Sequence, residues 1–168
     1  MKYKMDIKFL NPGEFNKTKP LAAECFGASA DLDDYYENDA DSSRIAVLEN
    51  DGQILSMVQL RRIMAVYDDH TIPVWYILYV CTSEKCRHKG YMDLVMNYVL
   101  ESLKREGEAF TFLVPVDEDI YRHLGFVYSW KYNESEQDML YADDGLDRCF
   151  ACLLNAESFD APVKLQPA

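Results

Sequence analysis

The segment Arg87–Gly90 reads RHKG and combines positive charge with one conformationally free residue. It follows a β-branched and aromatic run, Val74–Thr82, that is typical of a buried strand. From Lys89 to Arg105 apolar and polar residues recur at helical spacing. The first N–H groups of a helix lack intrahelical partners and lie at the positive end of its dipole. The pattern favours a phosphate-binding loop, although an ordinary strand–helix connection with solvated basic residues would give a similar sequence.

Three segments of the chain, in order, resemble the GNAT superfamily of N-acetyltransferases, and in particular its enhanced-intracellular-survival branch. They are ECFGASADLDDYYEND at 24–39, YILYVCTSEKCRHKGYM at 76–92 and FLVPVDEDIYRHLGF at 112–126. CRHKGYM is similar to the Arg/Gln-x-x-Gly-x-Gly/Ala loop that holds the pyrophosphate of acetyl-coenzyme A (acetyl-CoA) in this family. Met92 stands where the motif usually has Gly or Ala, so its larger side chain is expected to narrow the pyrophosphate groove.

The pattern of elements predicts an α/β fold. The resemblance implies a GNAT-like mixed, mostly antiparallel central sheet with a splayed parallel strand pair and flanking helices. Chain order and right-handed crossover make the strands Val74–Thr82 and Glu108–Val114 parallel neighbours. The other predicted strands are Ile7–Leu10, Arg44–Glu49, Gln53–Val66, Phe126–Tyr132 and Arg148–Asn155, with a hairpin at Asp51-Gly52. Predicted helices besides the one from Lys89 are Glu14–Phe26, Asp31–Asn38 and Asp117–Leu124, and an acidic loop covers Asn133–Asp147.

The resemblance implies acetyl-CoA as co-substrate and gives roles to two further groups of residues. Tyr121 lies where GNAT enzymes keep a tyrosine that protonates the departing thiolate, and a phenol with pKa near 10 can donate at neutral pH. Its alternative role is core packing, as one of twelve tyrosines. The backbones of Leu78, Tyr79 and Val80 would bind the acetyl–pantetheine arm. The pyrophosphate would lie against Arg87, His88, Lys89, Gly90, Tyr91 and Met92.

The general base and the acceptor are less well defined by the sequence. The strand segment YILYVCT offers no carboxylate, and residues 1–168 are expected to form a single domain without the sterol-carrier-like domain that supplies a terminal carboxylate in long relatives. Water, or Asp34 or Glu37, would then accept the proton, although both acids also fit a solvated helix face. The acidic segment Asp31–Asp41 favours a cationic amine. A regulatory module that binds coenzyme A without turnover stays open as the alternative function.

Composition excludes several other classes of protein. A net charge of −12 argues against nucleic-acid binding. No run is long enough to span a membrane, and the N-terminus does not resemble a signal peptide. The chain has five cysteines. An odd number without a secretion signal predicts that the thiols are reduced and that the protein is cytoplasmic. Cys149-x-x-Cys152 lies in a predicted strand without a second pair, so no metal site is predicted. The sequence leaves open whether the protein forms a homodimer.

Overall fold

The computed structural model describes residues 5–39, 43–67, 70–131, 148–155 and 164–167. The strands are β1 (Met5–Phe9), β2 (Ser43–Asn50), β3 (Gln53–Tyr67), β4 (His70–Thr82), β5 (Phe110–Leu113), β6 (Val127–Lys131), β7 (Arg148–Leu153) and β8 (Lys164–Pro167). The α-helices are α1 (Lys19–Phe26), α2 (Ala30–Asp34), α3 (Tyr91–Arg105) and α4 (Asp119–Arg122). Two 3-10 helices, Pro12–Thr18 and Glu84–Cys86, and a π-helical turn, Tyr35–Asp39, complete the described elements.

The strands form one mixed sheet in the order β1-β2-β3-β4-β5-β7-β6, and β8 pairs with β3. The pairs β1–β2, β2–β3, β3–β8, β5–β7 and β6–β7 are antiparallel, whereas β4 and β5 are parallel. The predicted fold class and the predicted parallel pair are therefore confirmed. The sequence did not predict β8, and the predicted loop Asn133–Asp147 lies outside the described residues.

The chain divides into two compact units, and the first contains Met1–Arg61 and Ile77–Glu101. Its core joins α1, α2, β2, β3 and β4 through one cluster of buried side chains: Leu10, Phe15, Leu21, Ala22, Leu32, Tyr35, Tyr36, Ile45, Val47, Met57 and Cys81. The predicted hairpin is present, with positive φ at Asp51 (50°) and Gly52 (81°). Both central residues of the turn therefore have the left-handed conformation that matches the twist of a two-residue hairpin.

The second unit contains Arg62–Tyr76 and Ser102–Ala168. Its core cluster consists of Ile63, Val74, Phe110, Phe112 and Ala151. The parallel register of β4 and β5 has two pairs, Trp75↔Thr111 and Tyr76↔Phe112. The Thr111 hydroxyl reinforces it by donating to the Trp75 carbonyl at 2.7 Å. The residues of β4 after Tyr76 belong to the first unit.

Two of the predicted helices each consist of two different helical elements in the structure. The predicted helix Glu14–Phe26 is a 3-10 helix followed by α1, with Pro20 in the first turn of α1. Proline fits a first helical turn because the N–H it lacks would have no intrahelical partner there. The helix predicted for Asp31–Asn38 changes to a π-helical turn at Tyr35.

None of the described helices is long and apolar enough to cross a membrane.

Candidate functional site

The start of α3, in the first unit, presents a set of backbone donors. The Leu94 N–H donates to the Gly90 carbonyl at 3.1 Å, which places Gly90 at the cap of the helix. Neither the Tyr91 nor the Met92 N–H has a hydrogen-bond partner among the described residues. All residues of Arg87–Gly90 are exposed. These donors and the dipole of a 15-residue helix form a site suited to an anion.

The backbone of the loop leaves open space at Gly90. Gly90 has φ of 74°, and a Cβ atom built on it would meet nothing within 4 Å. His88 also adopts a positive φ, 61°, which is uncommon for a residue with a side chain. The turn therefore depends on two left-handed residues, of which only Gly90 was recognisable in the sequence as suited to that conformation.

β4 contains a local distortion that the sequence did not predict. Tyr79 has φ of 45° although it lies inside the strand. A positive φ at a bulky residue is strained and persists only where surrounding contacts hold it. Those contacts are aromatic: the Tyr79 ring lies 5.2 Å from the ring of Phe26 and 5.2 Å from that of Tyr35, measured between centroids. The distortion occurs within Leu78–Val80, whose backbone was predicted to bind the acyl arm.

The end of α1 holds the segment between β4 and α3. The Glu24 carboxylate accepts hydrogen bonds from the Glu84 N–H at 2.7 Å and the Ser83 hydroxyl at 3.1 Å. The bond from Glu84 is the main reason that the pKa of Glu24 is lowered, so this carboxylate is charged at neutral pH. The Arg87 Nε donates to the Thr82 carbonyl at 3.4 Å. Glu24 was not recognisable as a site residue in the sequence because its contact with Glu84 joins residues 60 positions apart.

A buried chain of hydrogen bonds holds the π-helical turn to β3 and the first 3-10 helix. The Thr18 hydroxyl donates to the Phe15 carbonyl at 2.7 Å, so its oxygen must accept from the Tyr36 hydroxyl, also at 2.7 Å. The Tyr36 oxygen in turn accepts from the Gln59 amide at 2.8 Å. Burial raises the pKa of Tyr36, because desolvation disfavours the phenolate. The chain fixes the end of α2 through side chains from three elements.

The predicted acidic residues of α2 are exposed. Asp34 accepts a hydrogen bond from the Asn38 amide at 2.6 Å, and Glu37 lies on the surface of the following turn. Asp33 forms an ion pair with Lys19 at 2.7 Å. The part of the chain that the structure describes contains no group of three or more metal-ligating side chains. The role of Asp34 or Glu37 as general base stays a prediction.

Tyr121 lies in α4, in the second unit, and is half-buried. Its ring makes an edge contact with the Phe126 ring at 6.0 Å between centroids. Burial raises the pKa of Tyr121 above its ordinary value. Its hydroxyl has no hydrogen-bond partner among the described residues. The phenol is therefore protonated at neutral pH and has a free donor, whereas the neighbouring His123 is exposed.

The family model for the acetyltransferase (GNAT) domain matches residues 6–129, about three quarters of the chain. The chain belongs to the GNAT acetyltransferase family. This GNAT domain covers all three segments on which the family resemblance was based. The predicted superfamily is thus confirmed. No match is found among curated proteins.

Several solved structures with a similar fold are described as GNAT proteins or as a probable N-acyltransferase. A GNAT family N-acetyltransferase from Escherichia coli in complex with CoA has a TM-score of 0.72 at 16% identity, covering 92% of this chain and 83% of its own. A probable N-acyltransferase from Enterococcus faecalis has a TM-score of 0.70 at 18% identity, covering 76% and 33%. Eis1 from Mycobacterium abscessus has a TM-score of 0.62 at 16% identity, covering 76% and 32%. This GNAT chain spans about a third of the length of the latter two proteins, and its similarity to Eis1 supports the predicted branch only weakly.

Proposed function

We propose that this GNAT protein transfers the acetyl group of acetyl-CoA to a primary amine by direct attack of the amine on the thioester. The observation that carries the proposal is the start of α3, where unpartnered N–H groups follow an exposed loop with open space at Gly90. Pyrophosphate is the part of the cofactor that such a helix start recognises best. The Escherichia coli relative, which has the same fold, was crystallised in complex with CoA.

The residues of the first unit fit the cofactor by chemistry and by backbone geometry. The N–H groups of Gly90, Tyr91 and Met92 would bind the pyrophosphate, and the exposed Arg87, His88 and Lys89 would add positive charge around it. The backbone of Leu78, Tyr79 and Val80 would bind the acetyl–pantetheine arm. The positive φ of Tyr79 turns one amide of this stretch away from regular strand geometry, and we propose that this amide polarises the thioester carbonyl.

Proton transfer is assigned to Tyr121. A neutral amine attacks the thioester carbonyl, the carbon–sulfur bond breaks, and the leaving thiolate takes the phenolic proton. The raised pKa and the free hydroxyl of Tyr121 support this role. The amine loses its proton to water or to Asp34 or Glu37, both of which are exposed.

The acceptor is proposed to be cationic. Asp31, Asp34 and Glu37 are exposed on α2 and its π-helical turn, and the protein carries a net charge of −12. Such a surface attracts positively charged molecules and raises their local concentration. A polyamine, an amino sugar or a lysine-containing peptide has the required charge together with a primary amine. We propose an acceptor from this chemical class.

The alternative function is a regulatory module that binds CoA or acyl-CoA without turnover. Met92 at the last position of the motif and the lack of a carboxylate in YILYVCT favour it. Calorimetric titration with acetyl-CoA and a thiol-release assay over a panel of primary amines separate the two functions. We expect binding together with release of CoA thiol on at least one cationic amine. Binding without release on any amine would favour the module, and no binding would overturn both.

A further inference from the structure

Three consecutive residues at the end of α1 contact the segment that runs from β4 to the cofactor loop. Glu24 accepts the two hydrogen bonds from that segment described above. The Cys25 thiol donates to the Thr82 carbonyl at 3.5 Å. The Phe26 ring packs on the distorted Tyr79 at 5.2 Å between centroids. A small shift of α1 would therefore be transmitted directly to the backbone on both sides of Thr82.

Cys25 and Cys81 are neighbouring thiols at this junction. Cys25 packs against the core cluster of which Cys81 is a member, and the Cys25 sulfur lies 3.5 Å from the carbonyl oxygen of Thr82, the residue that follows Cys81. Cys25 is half-buried, whereas Cys81 is only 5% exposed. Burial, and to a lesser extent Cys25, raise the pKa of Cys81. Cys25 is thus the thiol that a dissolved reagent can reach. Cys81 is a buried, neutral thiol next to it.

We propose that Cys25 and Cys81 are a thiol–disulfide site, and that their oxidation weakens cofactor binding at the loop that follows β4. Disulfide formation is independent of the proposed function. Its effect on acetyl-CoA binding rests on the proposed function.

The reaction requires a two-electron oxidant of the disulfide class, such as glutathione disulfide. The Cys25 sulfur attacks one sulfur of glutathione disulfide, a mixed disulfide forms, and one glutathione leaves with the Cys25 proton. The Cys81 sulfur then attacks the Cys25 sulfur of the mixed disulfide. The second glutathione leaves with the Cys81 proton. Two protein thiols are oxidised and one glutathione disulfide is reduced to two glutathiones.

The bond changes the geometry around the site because it is short. A disulfide holds its sulfurs about 2.0 Å apart, whereas side-chain atoms that only pack lie about 4 Å apart. Closing that gap draws α1 and β4 together at Cys25 and Cys81. Glu24 and Phe26, on either side of Cys25, would then move relative to Ser83 and Tyr79. Cofactor affinity is expected to fall roughly fivefold, the lower end of typical coupling between sites.

The test uses the full chain equilibrated in glutathione buffers of increasing oxidising strength. Free thiols are alkylated after denaturation, and the linked peptides are identified by mass spectrometry. Acetyl-CoA affinity is then measured by calorimetry after glutathione is removed. Acetyl-CoA is chosen because its sulfur is blocked and cannot exchange with a disulfide. Cys25→Ser removes the accessible thiol, Cys81→Ser removes the buried one, and Cys86→Ser is the control because Cys86 is half-buried in the adjoining 3-10 helix.

We expect a Cys25–Cys81 peptide in the oxidised wild type and in Cys86→Ser, lower in mass by two hydrogen atoms. Both proteins should bind acetyl-CoA roughly fivefold more weakly than when reduced, and a thiol reductant should restore affinity. Oxidation should leave the affinity of Cys25→Ser unchanged, which keeps the test valid even if Cys81→Ser does not fold.

A stable glutathione adduct on Cys25 without the internal bond would overturn the site. An internal bond with unchanged affinity would overturn its effect. Failure of the reduced protein to bind acetyl-CoA would instead count against the proposed function.

Discussion

The start of α3 and the short helix α4 illustrate two ways in which this protein is proposed to do chemistry. At the start of α3 the groups assigned to the cofactor are backbone amides, and their availability follows from helix geometry and from the open space at Gly90. In α4 the assigned group is one hydroxyl, on Tyr121. A backbone site tolerates most changes of side chain but not a change that fills it. A site that depends on one hydroxyl is lost when a single atom is removed.

The largest effect is expected for Gly90→Glu, which adds a side chain and a negative charge where the pyrophosphate would bind. Repulsion between unit charges about 4 Å apart near a protein surface is roughly 4 kcal/mol, so affinity for acetyl-CoA should fall about 1,000-fold. Calorimetric titration measures the change. Normal binding by this variant would show that the loop is not the cofactor site.

Gly107→Glu is the matched control for that substitution. Gly107 follows the other end of α3 and has φ of 82°, and a Cβ atom built on it, as on Gly90, would meet nothing within 4 Å. Both variants therefore add the same charge and the same backbone strain to an end of one helix. We expect Gly107→Glu to bind acetyl-CoA within about twofold of the wild type, since it is remote from the proposed pyrophosphate contacts.

The next effect concerns Tyr121→Phe, which removes one oxygen from α4. General acid catalysis contributes roughly 100-fold or more, so turnover on an accepted amine should fall by about that factor while acetyl-CoA affinity changes little. Steady-state kinetics and calorimetry measure the two quantities separately. Tyr128→Phe, at an exposed tyrosine of β6, is the control and should keep full turnover. Equal turnover in Tyr121→Phe and the wild type would remove the phenol from the mechanism.

The pH dependence of turnover should separate the two regions further. Burial raises the pKa of Tyr121 above its ordinary value near 10, so the donating form persists below that pKa and is lost above it. We expect turnover to fall about tenfold per pH unit above the raised pKa in the wild type, with no such limb in Tyr121→Phe. A basic limb of the same position and slope in Tyr121→Phe would assign the titration to another group.

Unfolding limits the range of that experiment and has its own pH dependence. Burial raises the pKa of Tyr35 to about 12. The unfolded phenol ionises near pH 10, while the folded one stays protonated until about pH 12. The free energy of unfolding should therefore fall as pH rises through this interval. Circular dichroism at each pH identifies the range in which turnover is measured on folded protein.

The smallest effect is expected at Met92, where the loop departs from the family motif. Met92→Ala removes a half-buried side chain beside the proposed pyrophosphate site while keeping a residue of high helix propensity. If the methionine narrows the groove, acetyl-CoA affinity should rise roughly threefold, which corresponds to well under 1.4 kcal/mol. Weaker binding by Met92→Ala would mean that the methionine makes a favourable contact with the cofactor instead.

The sequence predicted the features that depend on local chemistry. The Asp51-Gly52 hairpin, the helix after Lys89 and the parallel neighbours β4 and β5 all follow from spacing, turn residues and connection rules. The family match carries the superfamily assignment. The positions of the proposed site residues on β4, on the loop and on α4 agree with the predicted elements, whereas their roles stay predictions.

The features that the sequence missed depend on distant contacts. The positive φ of Tyr79 is held by aromatic rings from α1 and the π-helical turn. The π-helical turn itself is fixed by hydrogen bonds of Tyr36 to Thr18 and Gln59. Local propensities carry no information about such contacts. The sequence around Tyr79 therefore predicted a regular strand, and the sequence of α2 predicted a continuous helix. Glu24 was missed for the same reason.

A crystal structure of the protein with CoA is the most direct test of the proposed cofactor site. We predict pyrophosphate oxygens within about 3.2 Å of the N–H groups at the start of α3, Gly90 to Met92. We also predict that the pantetheine arm lies along the backbone of Leu78–Val80. CoA bound elsewhere on the protein, with the start of α3 contacting only solvent, would contradict it.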